Sequence, residues 1–308
     1  LGNCDVFDLI VQSFWVGKLF NSHRVKTVSS PAQSACFLFD NGSLRAESTL
    51  SLRRAALELE RELGRPVQPV SLLHSSGVAS DLLDGQKARL LETALGDYFT
   101  GRPDGEAVLV PLFFGPSAAL TDYVPGRIKA LKVRFPRACV RLAPPLVDVR
   151  DGGDLRVAMI LADQVRIRIQ TCNWNRPAVV LVDHGSPQPV VTAVRDHLAM
   201  QMHAILGGEI TGLTAASMER RPDELYDFNE PLLATALSRP PLNTGNVIVA
   251  LQFLSPGRHA GPDGDVAQIC AAARDATPGL VTAMTEPIAG DPRLAIILAE
   301  RAGQAVPL

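Results

Sequence analysis

Two histidines stand where chemistry would be expected. His184 follows the apolar run Val179-Val180-Leu181-Val182 and Asp183, and His259 closes the segment Phe253-Leu254-Ser255-Pro256-Gly257-Arg258-His259 just past a second apolar run. Imidazole nitrogen suits a divalent first-row metal, and it takes up protons near neutral pH. Glu219 lies just past a third run, Ile210–Ala216, and its carboxylate could ligate the same cation or relay a proton. Short apolar runs of this kind read as buried strands. In an open parallel sheet, ligands sit outside the carboxyl ends of the strands. Three strands therefore deliver His184, Glu219 and His259 to one rim, and Gly185 and Gly257 would let the backbone approach a bulky ligand. The plainer alternatives are a turn or capping role for a histidine after a strand and a solvated surface role for Glu219 beside Arg220 and Arg221.

The same segments occur twice, and the earlier copy lacks the histidines. Asp40-Asn41-Gly42-Ser43 after Cys36-Phe37-Leu38-Phe39 matches Asp183-His184-Gly185-Ser186. Phe113-Phe114-Gly115-Pro116-Ser117-Ala118-Ala119 matches Phe253 to His259. Asp154–Asp163 matches Asp291–Glu300. In the middle of each half, Val70–Ser76 aligns with Leu213–Glu219 at the offset of the first pair. Collinear matches of this size mean a domain-sized duplication rather than a solenoid. Asn41 and Ala119 stand where His184 and His259 stand later. One half is thus expected to work and the other to serve as scaffold.

Composition removes other classes. The chain has 308 residues, enough for two domains with cores. It is 46% hydrophobic and 20% charged with a net charge of −2, so no global field draws nucleic acid or membrane. Aromatics are sparse at 5%, which argues against a base-stacking surface. The five cysteines are scattered without a CxxC pair, which points to a reducing, cytoplasmic compartment and away from a thiolate zinc site. No apolar run approaches the roughly 20 residues of a membrane span. Phosphate-binding loops and the nucleophile elbow are absent. His197 and His203, with Met200 and Met202, superficially resemble a soft-metal cluster, but core packing and exposure on different helix faces account for them.

Each half reads strand, loop, helix, strand, helix, strand, helix, the alternation of a parallel sheet covered by helices. The first half gives strands at Cys36–Phe39, Val67–Leu73 and Ala107–Phe114, with helices at Ser48–Leu63 and Leu82–Tyr98. The second gives strands at Ala178–Val182, Ile210–Ala216 and Asn246–Phe253, with helices at Pro189–Leu206, Glu230–Leu237 and Asp263–Ala273. Gln164–Pro177 reads as the connection between halves. The expected divisions are a leader at 1–30 with a faint targeting-like composition, a degenerate domain at 31–166 and a histidine-bearing domain at 174–308.

The stretch from Val179 to Ser186, followed by a helix, resembles the opening of the class II tetrapyrrole chelatases. Phe253 to Gly261 resembles their second histidine motif. The likeness is to the two-domain sirohydrochlorin cobalto- and ferrochelatases of cobalamin and siroheme synthesis, and it covers about residues 34–308. Many long members carry their histidines in the N-terminal half, whereas this chain carries them in the C-terminal half. The resemblance implies an α/β fold of two tandem chelatase-like (flavodoxin-like) parallel sheets facing each other across a cleft. It implies a lyase that inserts Co²⁺, Fe²⁺ or Ni²⁺ into sirohydrochlorin or a related tetrapyrrole, with no cofactor beyond that metal substrate. His184 and His259 would handle the metal, with Glu219 assisting. Arg258, Arg220, Arg221 and Ser186 would bind the carboxylate-rich ring. The expected partner is the tetrapyrrole alone, bound by a monomer that forms an internal pseudo-dimer. A non-enzymatic tetrapyrrole or metal carrier is the alternative.

Overall fold

A computed structural model describes residues 34–308; the expected leader at 1–30 lies outside them. Strand β1 (Ser34–Asp40) is buried along Cys36–Phe39, so its apolar run is continuous rather than alternating. Helix α1 (Ala46–Leu63) follows and stops at Gly64, which takes a left-handed conformation and returns its N–H to the Glu60 carbonyl. Then come β2 (Val67–Ser71), α2 (Leu91–Gly101), β3 (Glu106–Pro111), α3 (Val124–Arg134) and β4 (Cys139–Leu142). After helix α4 (Arg156–Cys172) the pattern restarts with β5 (Ala178–Asp183), α5 (Pro189–Leu206), β6 (Gly212–Ser217), α6 (Leu233–Leu237), β7 (Gly245–Leu251), α7 (Asp265–Ala276) and β8 (Leu280–Met284). Helix α8 (Arg293–Gly303) and a short β9 (Val306–Pro307) end the chain.

Among the described residues these strands form two sheets, ordered β2-β1-β3-β4-β9 and β6-β5-β7-β8, parallel throughout except for β9. The first strand of each half is central and the order reverses beside it, between β1 and β3 and between β5 and β7. That is the switch point at which loops diverge and a crevice opens. Each sheet has its own apolar layer, built on Phe37, Phe39, Leu109 and Phe99 in the first and on Val180, Val182, Val249 and Leu237 in the second.

The last helix of each half crosses over. Helix α4 packs on α5, β7 and β8 of the second sheet, whereas α8 packs on α1 and β3 of the first, and β9 then pairs with β4. The exchange is locked by two equivalent ion-pair sets. Arg156 binds Asp154 at 2.8 Å and Glu300 at 2.6 Å; Arg293 binds Asp291 at 2.7 Å and Asp163 at 2.5 Å. Such reciprocal pairing is what a two-fold contact between duplicated elements produces. Burial works to raise the Asp154 carboxyl, but hydrogen bonds and charge from Arg156, with Arg301 behind it, hold it at about 2.

Several expectations from sequence shift. The Gln164–Pro177 connection is mostly helix, because α4 runs to Cys172 and ends at left-handed Asn173, leaving only a short link. The Leu82–Tyr98 helix is a 3₁₀ turn at Ser80–Leu83, an extended stretch, and then α2. The middle of the repeat is also re-registered. Asp40 pairs with Ser71 and Asp183 with Ser217, so Ser71 matches Ser217 and Leu73 matches Glu219. The extra length is taken up by the Gly207–Glu209 turn that follows α5. As core packing and exposure on different helix faces would have it, Met202 is buried while Met200 and His203 are exposed.

Candidate functional site

Strand β5 delivers His184 to the rim. The turn behind it is built on Gly185, whose φ is +89° and whose added Cβ would lie 1.9 Å from the Glu219 carbonyl oxygen. The conformational freedom of Gly185 is thus spent on the approach of strand β6, not on a ligand. Met218 N–H donates to Asp183 O at 2.8 Å and Glu219 N–H to His184 O at 3.2 Å, so the ladder continues past the strands and carries Glu219 to the histidine. Beneath, the Asp183 carboxylate accepts from Ser217 Oγ at 2.6 Å and from Gly185 N–H at 3.1 Å. Burial pushes the Asp183 carboxyl up, opposed by the Ser217 hydroxyl and the charge of Arg195.

The segment after His184 is clamped by a side chain with no local sequence signature. Asn229 is fully buried. Its Oδ1 accepts from Ser186 N–H at 2.9 Å and from Thr192 Oγ1 at 3.2 Å, and its Nδ2 donates to Ser186 O at 2.9 Å. Arg195, only 2% exposed, donates to Ser217 Oγ at 2.7 Å and to Asn229 O at 2.9 Å. A charge this deep is tolerated because its donors are satisfied.

The two expected imidazoles meet. Their ring centroids are 4.6 Å apart and the planes cross at 82°. Glu219 Oε1 is 3.6 Å from His184 Nε2. Asp265, the first residue of α7, places Oδ2 2.6 Å from His259 Nδ1. These contacts favour one tautomer of each ring. Gly185 O lies 3.1 Å from His184 Nδ1, and a carbonyl can only accept, so that nitrogen carries the hydrogen. The Asp265 carboxylate likewise takes the Nδ1 hydrogen of His259. Both rings are then left with a basic Nε2, the arrangement in which an outer partner orients a metal-binding or proton-accepting histidine.

The arginines divide. Arg258 is 76% exposed and touches only the edge of the Asp265 carboxylate, at 3.6 Å. Arg220 is tied to Glu230 at 2.8 Å and Asp227 at 3.0 Å, so its charge is matched within the fold. Arg221 lies over the Tyr226 ring and donates to its hydroxyl at 3.1 Å. Ser186 Oγ accepts from Gln188 N–H at 3.0 Å. Three residues escaped the sequence reading: Asp265, Asn229 and Arg195. Asp265 could have been noticed as an acid just past His259, on the helix that the loop enters; the other two leave no local trace. Among the described residues, no group of three or more His, Cys, Asp and Glu forms a metal cage, and no helix is long and apolar enough to cross a membrane.

No protein-family profile matches the chain. No curated protein matches it significantly. Solved structures do. SirB from Bacillus subtilis with Fe³⁺ superposes with a TM-score of 0.61 over 88% of this chain and 95% of that one, at 13% identity. The sirohydrochlorin chelatase SirB from Bacillus subtilis subspecies spizizenii in complex with cobalt also gives 0.61, over 88% and 94%, at 14% identity. At that identity the likeness establishes the fold: the chain has a class II chelatase-like α/β architecture of two helix-flanked parallel sheets.

Proposed function

We propose that this protein inserts a divalent metal into sirohydrochlorin or a closely related tetrapyrrole. The observation that carries the reading is the pair of imidazoles at the rim of the second sheet, each with Nδ1 engaged and Nε2 left basic. Metal insertion needs such a rim. The cation must be held while it loses water, and two pyrrole N–H protons must go elsewhere as the four ring nitrogens take over coordination. Two imidazoles are fewer donors than a resident four-coordinate site requires, which suits a metal that is handed on. The chelatase named among the structural neighbours gives the reaction class its precedent.

The surroundings of the two rings suggest a division of labour. Asp265 raises the donor strength of His259 and holds its ring, so His259 is the principal metal ligand. Glu219 faces His184 Nε2, so a proton accepted there is stabilised by an adjacent carboxylate, and this pair takes the pyrrole protons. Arg258, exposed and only loosely paired, is the carboxylate anchor; Arg220 and Arg221, engaged by neighbours, add positive field at most. One chain supplies both sheets, so the proposed working unit is a monomer. Co²⁺, Fe²⁺ and Ni²⁺ all suit these ligands.

The test is visible absorbance of sirohydrochlorin incubated with each of the three metals and the protein. Metal-dependent spectral conversion that the His184→Ala and His259→Ala variants lack is the expected result. Tight sirohydrochlorin binding without accelerated conversion by any metal would overturn the enzyme and leave a carrier.

A further inference from the structure

The duplication creates a second site, in the half that lacks the histidines. Helices α1 and α5 have the same length and place, so Thr49 corresponds to Thr192 and Leu52 to Arg195. Ser71 corresponds to Ser217, and each bridges to a following extended segment, at Leu90 and Leu232. Counting back from those bridges sets Lys87 against Asn229. In the second half the slot between helix, strand and segment is filled: Arg195 and Asn229 occupy it and satisfy Ser217 and Thr192. In the first half neither Leu52 nor the exposed Lys87 fills the slot, and an open cavity of about 180 Å³ lined by both remains. A single water needs only roughly 10–15 Å³ of such space.

Thr49, Leu52, Arg53, Ser71, Lys87 and Arg89 line it, and no carboxylate does. Thr49 is 5% exposed and its Oγ1 has no hydrogen-bond partner. Arg53 donates to the Leu83 and Gln86 carbonyls at 2.8 and 2.7 Å, partners that leave its positive charge unbalanced. Lys87 is exposed. Arg89 is paired with Asp97 at 2.6 Å. Two cations without a carboxylate partner, Arg53 and Lys87, at the wall of an open cavity that no carboxylate lines are complementary to a small negatively charged oxygen group.

We infer that this cavity, whose equivalent in the second half is filled by Arg195 and Asn229, binds a small oxyanion, either a carboxylate or a phosphate group. The site does not depend on the metal-insertion reading. It lies on the α1–β2 side of the first sheet and uses none of the residues around His184 and His259.

The test is isothermal titration of the full chain with inorganic phosphate and, separately, with malonate and acetate; the arm that saturates identifies the source. Arg53→Gln and Lys87→Gln should each weaken binding by about tenfold or more, the loss of one charge-assisted hydrogen bond. Leu52→Arg should abolish it by refilling the slot. Arg258→Gln, on the histidine rim, should leave it unchanged. The inference is overturned if no anion saturates, if neither Arg53→Gln nor Lys87→Gln weakens binding, or if only Arg258→Gln does. Should Leu52→Arg fail to fold, the Arg53 and Lys87 variants decide alone. Chelatase activity can be present or absent without changing these outcomes.

Discussion

The first and second halves share a skeleton and differ in what it carries. Gly42 and Gly185 both take φ +89°, and each would drive a Cβ into the carbonyl oxygen of the next strand's exit, Leu73 at 1.8 Å and Glu219 at 1.9 Å. Asp40 and Asp183 sit at the same strand end, paired with Ser71 and Ser217. Yet Asn41, Leu73 and Ala119 replace His184, Glu219 and His259, and Leu52 replaces Arg195. The difference teaches that the turn geometry is needed to fold either sheet. The ionisable rim and its buried arginine occur only in the second half, where the proposed chemistry is placed.

The largest effect should come from breaking what the halves share. Gly185→Ala and Gly42→Ala each force a side chain onto backbone at positive φ, and each should cost at least about 4 kcal/mol in thermal or denaturant unfolding. Equal losses would show that the two turns are equivalent structural parts; tolerance at Gly42 alone would show that the first half has relaxed. Next is the rim itself. Making the second half copy the first, with His184→Asn and His259→Ala, should lower metal insertion about a thousandfold with unfolding unchanged. The reverse graft, Asn41→His with Ala119→His, should add nothing, because Leu73 stands where the proposed proton relay uses Glu219.

The buried acids sharpen the comparison further. Burial raises the Asp40 carboxyl to about 6, with only hydrogen bonds from Ser71 and local backbone opposing it and no buried arginine at hand. A folded-state value above the unfolded one means the native state binds the proton more tightly. The contribution is then present at low pH and lost as pH rises from about 4 through about 6, by up to about 3 kcal/mol. Asp40→Asn should flatten that part of the stability profile in denaturant titrations. The smallest effect belongs to Asp265. Asp265→Asn should reduce Co²⁺ affinity of the apo protein about 10- to 100-fold. It should also let the His259 ring change tautomer, which nitrogen NMR shifts report. An unchanged tautomer would remove Asp265 from the site.

Much of this was legible along the chain because strands, turns and helix stops are local events. The continuous apolar run of β5, the Asp-His-Gly turn at its end and the Gly-Arg-Pro stop after α1 are decided by side chains within a few residues. His184 and His259 could be placed on one rim because parallel order forces strand ends together. The register of β6 was missed, since a short insertion in the Gly207–Glu209 turn leaves the apolar pattern intact while moving Glu219 opposite Leu73. Helix α4 was partly missed because its apolar residues run into the polar stretch that reads as a linker.

The sequence by itself determined that the chain is a duplicated parallel α/β protein with its two rim histidines in the later copy. Backbone periodicity and side-chain type suffice for that. Only the tertiary structure decided that α4 and α8 change places, that Asp265 holds His259, and that Arg195 and Asn229 brace the turn beneath His184. Those partners lie on separate elements. Their meeting depends on how helices pack across sheets, and on the cost of burying a charge or amide without a partner.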